Sequence, residues 1–257
     1  MNRINKLFAA KPNGVLSIYF TAGYPDIEDT TTVIKSLAKS GVDFIEIGVP
    51  FSDPLADGPT IQRSSEIALE NGMSMQVLFE QLANIRQEVS IPLLLMGYIN
   101  PVIRYGIEAF CKKCSEIGID GVILPDLPMV EYLEDYKATF EKYNLRNIFL
   151  ITPQSSDERV RWIDENSDGF IYMVATAGTT GTRADVSTEQ EDYFKRIKAL
   201  NLKNPIVAGF GISDQHTFQK ATSIANGAII GSAFVTALKK GEDLPGDIDR
   251  FVKGIIR

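Results

Sequence analysis

With 257 residues, 44% hydrophobic and 23% charged, the chain has ordinary globular composition and is long enough to bury a sizeable core. Its 33 acidic and 26 basic side chains leave a formal net charge of −7 with no basic stripe, which argues against nucleic acid or an anionic membrane as partner. The longest apolar runs are strand-sized, far short of a membrane span.

In chain order, the N-terminal M-N-R-I-N-K-L-F-A-A-K has no apolar signal core. Ile4, Leu7 and Phe8 interleaved with polar residues predict a short amphipathic helix, and a cytoplasmic protein is the default expectation. Strands are expected at 15–21, 44–48, 92–96, 122–124, 147–151, 170–174, 205–208 and 228–230. Helical periodicity is expected between them at 30–39, 77–85, 107–117, 132–143, 159–164 and 193–200.

The richest stretch runs from Glu46 to Gly58, E-I-G-V-P-F-S-D-P-L-A-D-G. Strand alternation puts Phe44 and Glu46 on one face and Ile45 and Ile47 on the other. Glu46 is thus a candidate buried acid near the C-terminal end of a strand, where burial raises a carboxyl pKa into the range of a proton-transfer group. Asp53 and Asp57 follow in the connecting loop, the usual place for functional groups. The competing reading pairs Glu46 with a buried Lys or Arg and leaves the loop a capped turn.

Cys111 and Cys114 form a C-x-x-C, but there is no second pair, and the single histidine, His216, is far away and reads as a first-turn helix residue. Three residues apart on a helix means one face, so two small buried hydrophobes is the preferred reading. A lone histidine also argues against a histidine triad or metal cluster. The aspartates of S-D-P-L-A-D remain a weaker candidate for Mg²⁺.

A weak internal repeat ties the chain together. A-K-S-G-V-D-F-I-E-I-G returns as S-E-I-G-I-D-G-V-I-L-P, with related forms at E-N-S-D-G-F-I-Y-M and S-I-A-N-G-A-I-I-G. In each, a helix stops at a small residue and a strand starts at once. The connections leaving the strands are longer and hold the unusual residues. Eight strand–helix units in one domain spanning 1–257 predict an α/β fold, a (β/α)8 TIM barrel with a short N-terminal helix and its site at the C-terminal ends of the strands. An open doubly wound sheet competes, but no G-x-G-x-x-G follows the first strand. The polar 178–186 stretch reads as a lid or as an exposed loop.

Small-residue turns follow the last three strands: Thr180-Gly181, Gly209-Phe210-Gly211 and Gly231-Ser232-Ala233. Glycines there let backbone N–H groups approach an anion, and a helix start after Gly231 adds its dipole, with Ser232 expected as cap and ligand. Together they predict a phosphorylated ligand held by neutral donors. Tyr172 and Tyr19 face either the barrel interior, near Glu46, or the surrounding helices. No Lys stands at a strand end, which argues against a Schiff base.

F-I-E-I followed by G-V-P-F-S-D-P-L-A-D-G-P-T-I-Q resembles the signature of the tryptophan synthase alpha subunit family. T-A-G-Y-P-D, L-L-L-M-G-Y-I-N-P, G-V-I-L-P-D-L-P, G-T-T-G, A-G-F-G-I-S and G-A-I-I-G-S-A resemble its other segments in the same order, over nearly the whole chain. The resemblance implies a (β/α)8 barrel that cleaves indole-3-glycerol phosphate to indole and glyceraldehyde 3-phosphate without metal or organic cofactor. It implies Glu46 as catalytic acid/base and Asp57 as second catalytic carboxylate. Phosphate contacts would fall on Gly181, Gly211, Gly231 and Ser232, and Tyr172, Ile123 and Phe210 would border the substrate. Tyr19 and Met96 stand where some members have Phe and Leu. The implied partner is a beta subunit carrying pyridoxal phosphate, in an alpha2-beta2 heterotetramer, contacted through Asp53-Pro54-Leu55 and the loop from Tyr98 to Pro101. The alternatives are another phosphate-binding barrel enzyme, or a non-catalytic subunit that activates the beta partner.

Overall fold

Eight parallel strands among the described residues close on themselves. They are β1 (Val15–Thr21), β2 (Phe44–Gly48), β3 (Leu93–Met96), β4 (Gly121–Ile123), β5 (Arg146–Ile151), β6 (Ile171–Val174), β7 (Ile206–Gly209) and β8 (Gly227–Ile230). Each pairs with the next, and β8 returns to β1 with Val15 beside Gly227. The computed structural model describes residues 1–55, 57–174, 188–209, 211–238, 241 and 243–256, with backbone only over 188–191.

Alternation along the strands divides the core in two. Phe44, Leu94, Ile123, Ile148, Phe170, Tyr172, Val207 and Ile229 fill the barrel interior with Val15, while Ile45, Ile47, Leu93, Leu95, Val122 and Ile171 face the helices. The same alternation sends Glu46 inward with Phe44. The helical segments lie where the periodicity predicts them, with ends shifted by a few residues: Asp29–Ser40, Met75–Leu82, Ile107–Ile117, Asp157–Asn166 and Thr188–Ala199. The segment expected at 132–143 is helical from Met129 to Lys142 but carries a π-type stretch at Tyr132–Tyr136. Helices Asp29–Ser40 and Ile107–Ile117 end at Gly41 and Gly118 in the left-handed region (φ 97° and 83°), and a strand follows within a few residues. Cys111 and Cys114 are fully buried free thiols in the outer core.

Three helices absent from the sequence expectations, the short Ile99–Tyr105 among them, also cover the barrel. Pro59–Glu70 buries Ile61, Ser64, Ser65 and Ala68, so half of its inner face is polar and its apolar stripe is hard to see. Ser64 Oγ lies 2.7 Å from Thr21 Oγ1 at the end of β1. Leu244–Ile256 packs against Asp29–Ser40 through Ile248, Val252 and Ile255. Among the described residues no helix is long and apolar enough to cross a membrane.

The N-terminal helix, Arg3–Ala10, plugs the bottom of the barrel. Ile4 and Phe8 join the interior cluster, and Phe8 meets Phe170 at 5.9 Å between ring centroids. Burying two such side chains contributes roughly 1.5–3 kcal/mol each. Asn2 accepts a hydrogen bond from Ile4 N, capping the helix, and donates to the carbonyls of Asp120 and Asn144. Beside it, Asp120 accepts from Arg86 (2.6 Å), Arg3 (3.0 Å) and Leu93 N (3.0 Å), while Arg86 also reaches the carbonyls of Gly118, Val89 and Ile91. With the bottom closed by this plug, the top is the open end.

Candidate active site

β2 delivers Glu46 into the upper interior. Register sets it between Tyr19 of β1 and Leu94 of β3. The side chain is 0% exposed. Oε1 accepts a hydrogen bond from Ser17 Oγ at 3.1 Å, and Oε2, equally buried, has no partner. Desolvation raises the carboxyl to about 8, with the Ser17 bond pulling slightly the other way. Among the described residues no cation pairs with it, so the buried ion pair considered from the sequence is not formed there.

Asp57 comes from the loop after β2. Its N–H donates to Pro54 O, Gln62 Nε2 donates to its carbonyl at 2.8 Å, and Gly58-Pro59 opens the next helix immediately afterwards. Tyr98 Oη donates to Asp57 Oδ2 at 3.2 Å, and the Tyr98 ring stacks on Phe51 with centroids 4.9 Å apart. Burial raises the Asp57 carboxyl and the Tyr98 bond opposes that rise.

The structure resolves the tyrosine ambiguity in favour of the interior. Burial, followed by the field of Glu46, pushes the Tyr172 phenol well up, with Tyr19 and Asp57 adding to it. Burial and Asp57 do the same for Tyr19. The two carboxyls and two neutral phenols therefore share one chamber. Glycine makes room for both rings: a Cβ on Gly48 would run into the Tyr19 hydroxyl, and one on Gly209 into the Tyr172 ring. Met96 and Ile123 are cross-strand neighbours on the inner face of β3 and β4, one step above Leu94. A separate cavity of about 200 Å³ lies at the β4–β5 wall, bordered by Leu124, Phe149, Arg159 and Ile163, and includes neither Glu46 nor Asp57.

Above β7 and β8, Gly211 adopts φ 48° with open space where a side chain would be, and Gly231 precedes the helix Ser232–Ala237. One expectation is corrected here. The cap position belongs to Gly231, while Ser232 is the first helical residue and makes no capping bond. Ser232 starts the helix because β8 runs to Ile230 and Gly231 takes the non-helical turn (φ −113°, ψ −85°). Gly181, Phe210 and the 178–186 stretch lie outside the described residues. His216 is the second residue of the helix Gln215–Thr222, capped by Asp214.

Two site residues escaped the sequence. Ser17 is a small hydroxyl residue among apolar neighbours in β1, and the only signal available was its inward parity with Tyr19 two positions on. Tyr98 gave no sign that it holds Asp57, because that contact joins loops 41 residues apart.

Residues 6–251 match the model of a protein family described as tryptophan synthase alpha chain. The tryptophan synthase alpha chain of Flavobacterium johnsoniae is 60% identical over 252 residues, covering 98% of either chain. Among solved structures, tryptophan synthase from Mycobacterium tuberculosis is similar with a TM-score of 0.88 at 34% identity, covering 99% of this chain and 98% of that one. The tryptophan synthase alpha chain of Legionella pneumophila gives 0.87 at 32% identity, covering 99% and 96%.

Proposed function

The chain belongs to the tryptophan synthase alpha chain family, and from that membership we infer how its chamber performs the family's reaction. The protein is a carbon–carbon lyase of tryptophan biosynthesis that cleaves indole-3-glycerol phosphate to indole and glyceraldehyde 3-phosphate.

The bond that breaks joins indole C3 to the hydroxyl-bearing carbon of the glycerol chain. A proton must be added at C3, and one must be lost from that hydroxyl as its carbon becomes the aldehyde. We assign both transfers to Glu46. In its acid form it protonates C3; the resulting carboxylate then takes the hydroxyl proton, and the starting state returns with no net proton consumed. One buried carboxyl near neutrality suits both halves. Asp57, held by Tyr98, is assigned to the ring N–H, where a fixed carboxylate stabilises the cationic indolenine formed when C3 is protonated. Tyr19, Tyr172, Met96 and Ile123 border the indole in this reading. Gly211, Gly231 and Ser232 offer the phosphate neutral donors, their N–H groups backed by a helix start. The single observation that carries the assignment is the fully buried Glu46 with an unpaired Oε2 and a carboxyl raised to about 8.

Membership in an alpha-chain family implies a beta-chain partner. We propose an alpha2-beta2 assembly whose beta subunit carries pyridoxal phosphate and takes up indole. The docking surface is assigned to the barrel mouth, where Leu55 is 94% exposed next to the Phe51–Tyr98 stack. A cytoplasmic location fits this role and is proposed with it.

The test is indole release from indole-3-glycerol phosphate by the purified chain. Release by the wild type, its loss in Glu46→Gln, and retained binding of a glycerol phosphate analogue are expected. Turnover by Glu46→Gln within about tenfold of wild type would remove Glu46 from the proton transfers, since general acid–base catalysis is worth about 10²–10⁴.

A further inference from the structure

Ser17 has no place in the assignments above, yet its hydroxyl is fully buried and its polar partner is the Glu46 carboxyl. Its single O–H is used in donating to Oε1 at 3.1 Å. An oxygen that accepts from Ser17 serves as carbonyl when the carboxyl is protonated and as one half of the anion when it is not. The proton is thereby directed to Oε2, the oxygen left without a partner. We propose that Ser17 is a positioning residue for the lyase reaction, fixing Oε2 as the oxygen that carries and collects the proton. This rests on Glu46 being the acid/base.

The backbone supports that role. Ser17 and Glu46 lie on neighbouring strands, with Ser17 opposite Phe44, so the contact is set by β1–β2 pairing and not by a mobile loop. Without the hydroxyl, neither carboxyl oxygen has a hydrogen-bond partner among the described residues. Part of the population would then hold its proton on the oxygen turned towards β1. The titratable groups that share the chamber are Tyr19 of β1, Tyr172 of β6 and Asp57 of the loop after β2. No lysine, arginine or histidine among the described residues acts on Glu46.

Ser17→Ala is expected to lower kcat about tenfold with little change in KM, the scale of one lost hydrogen bond. The high-pH limb of the kcat profile should move upwards, because the lost bond favoured the ionised form. Ser17→Thr, which keeps the hydroxyl, should restore both. A fall in kcat with an unmoved limb, or no rescue by threonine, overturns the proposal by showing a packing role only. A wild-type profile in Ser17→Ala with an inactive Glu46→Gln overturns it while leaving the acid/base assignment intact; an active Glu46→Gln removes that assignment itself. Infrared spectroscopy of the unmodified chain is independent of whether Ser17→Ala folds. The acid carbonyl band that vanishes in Glu46→Gln should absorb where a hydrogen-bonded carbonyl does, and a free-carbonyl frequency overturns the proposal.

Discussion

As the proposed acid/base, Glu46 would tie function to stability through one proton. Burial holds its carboxyl at about 8 against 4.5 for a free side chain, so the folded chain binds that proton more tightly than the unfolded one. The stability it contributes is complete below the unfolded value and is lost as pH rises through the folded one. Glu46→Gln removes the ionising group, so its melting temperature should gain on the wild type as pH rises from about 4.5 to about 8. A difference that stays flat across that window would show that burial does not raise the Glu46 pKa above its unfolded value. Asp57 differs in being only partly buried and held by Tyr98. Asp57→Asn should cut kcat by about 10²-fold or more while phosphate-analogue binding persists, and a wild-type rate would take Asp57 out of the mechanism. Glu46 was legible from residue type and strand parity, and Asp57 as an acid in the loop that follows the strand. The orientation of Tyr19 and Tyr172 was not, because parity gives two faces and only the closed sheet says which is inside.

At the scale of elements, the barrel bottom is held by the buried Asp120 and its two arginines, the half-buried Arg86 and the more exposed Arg3. Asp120 is 3% exposed, and Arg86 joins it to the carbonyls that close the turns around β3 and β4. Desolvation lowers the Arg86 guanidinium to about 10, with Asp120 the main opposing influence. Removing one member of such a pair strands the other, so Asp120→Ala should cost about 3–5 kcal/mol in urea unfolding. A loss within surface-mutation range, about 0.5 kcal/mol, would show that the carbonyls satisfy Arg86 alone. This pair could not be read in advance: its members stand 34 residues apart, and each looks like an ordinary surface charge. Helices with a clean apolar stripe, such as Ile107–Ile117, were visible from periodicity. Pro59–Glu70 was not, because Ser64 and Ser65 occupy its buried face.

The whole molecule shows why the architecture was legible at all. Short, uniform turns enter the strands and long, varied ones leave them, an asymmetry that points to a barrel with one working end before any contact is known. The working end carries the exposed Leu55, and a bound beta subunit would cover it. Leu55→Asp should leave basal indole release near wild type and abolish its rise on adding a beta subunit; full activation of that variant would move the docking surface elsewhere. The opposite end has its own consequence. The Arg3–Ala10 helix rests on Phe170, and β1 pairs along one edge with β8, the last strand of the ring to be made. Translation at roughly 5–20 residues per second therefore leaves β1 with an unpaired edge, and the Arg3–Ala10 helix without its Phe170 seat, for many seconds before those partners are made. Ring closure must wait until β8 has followed, and for that interval the β1 edge stays open to pairing with any other strand.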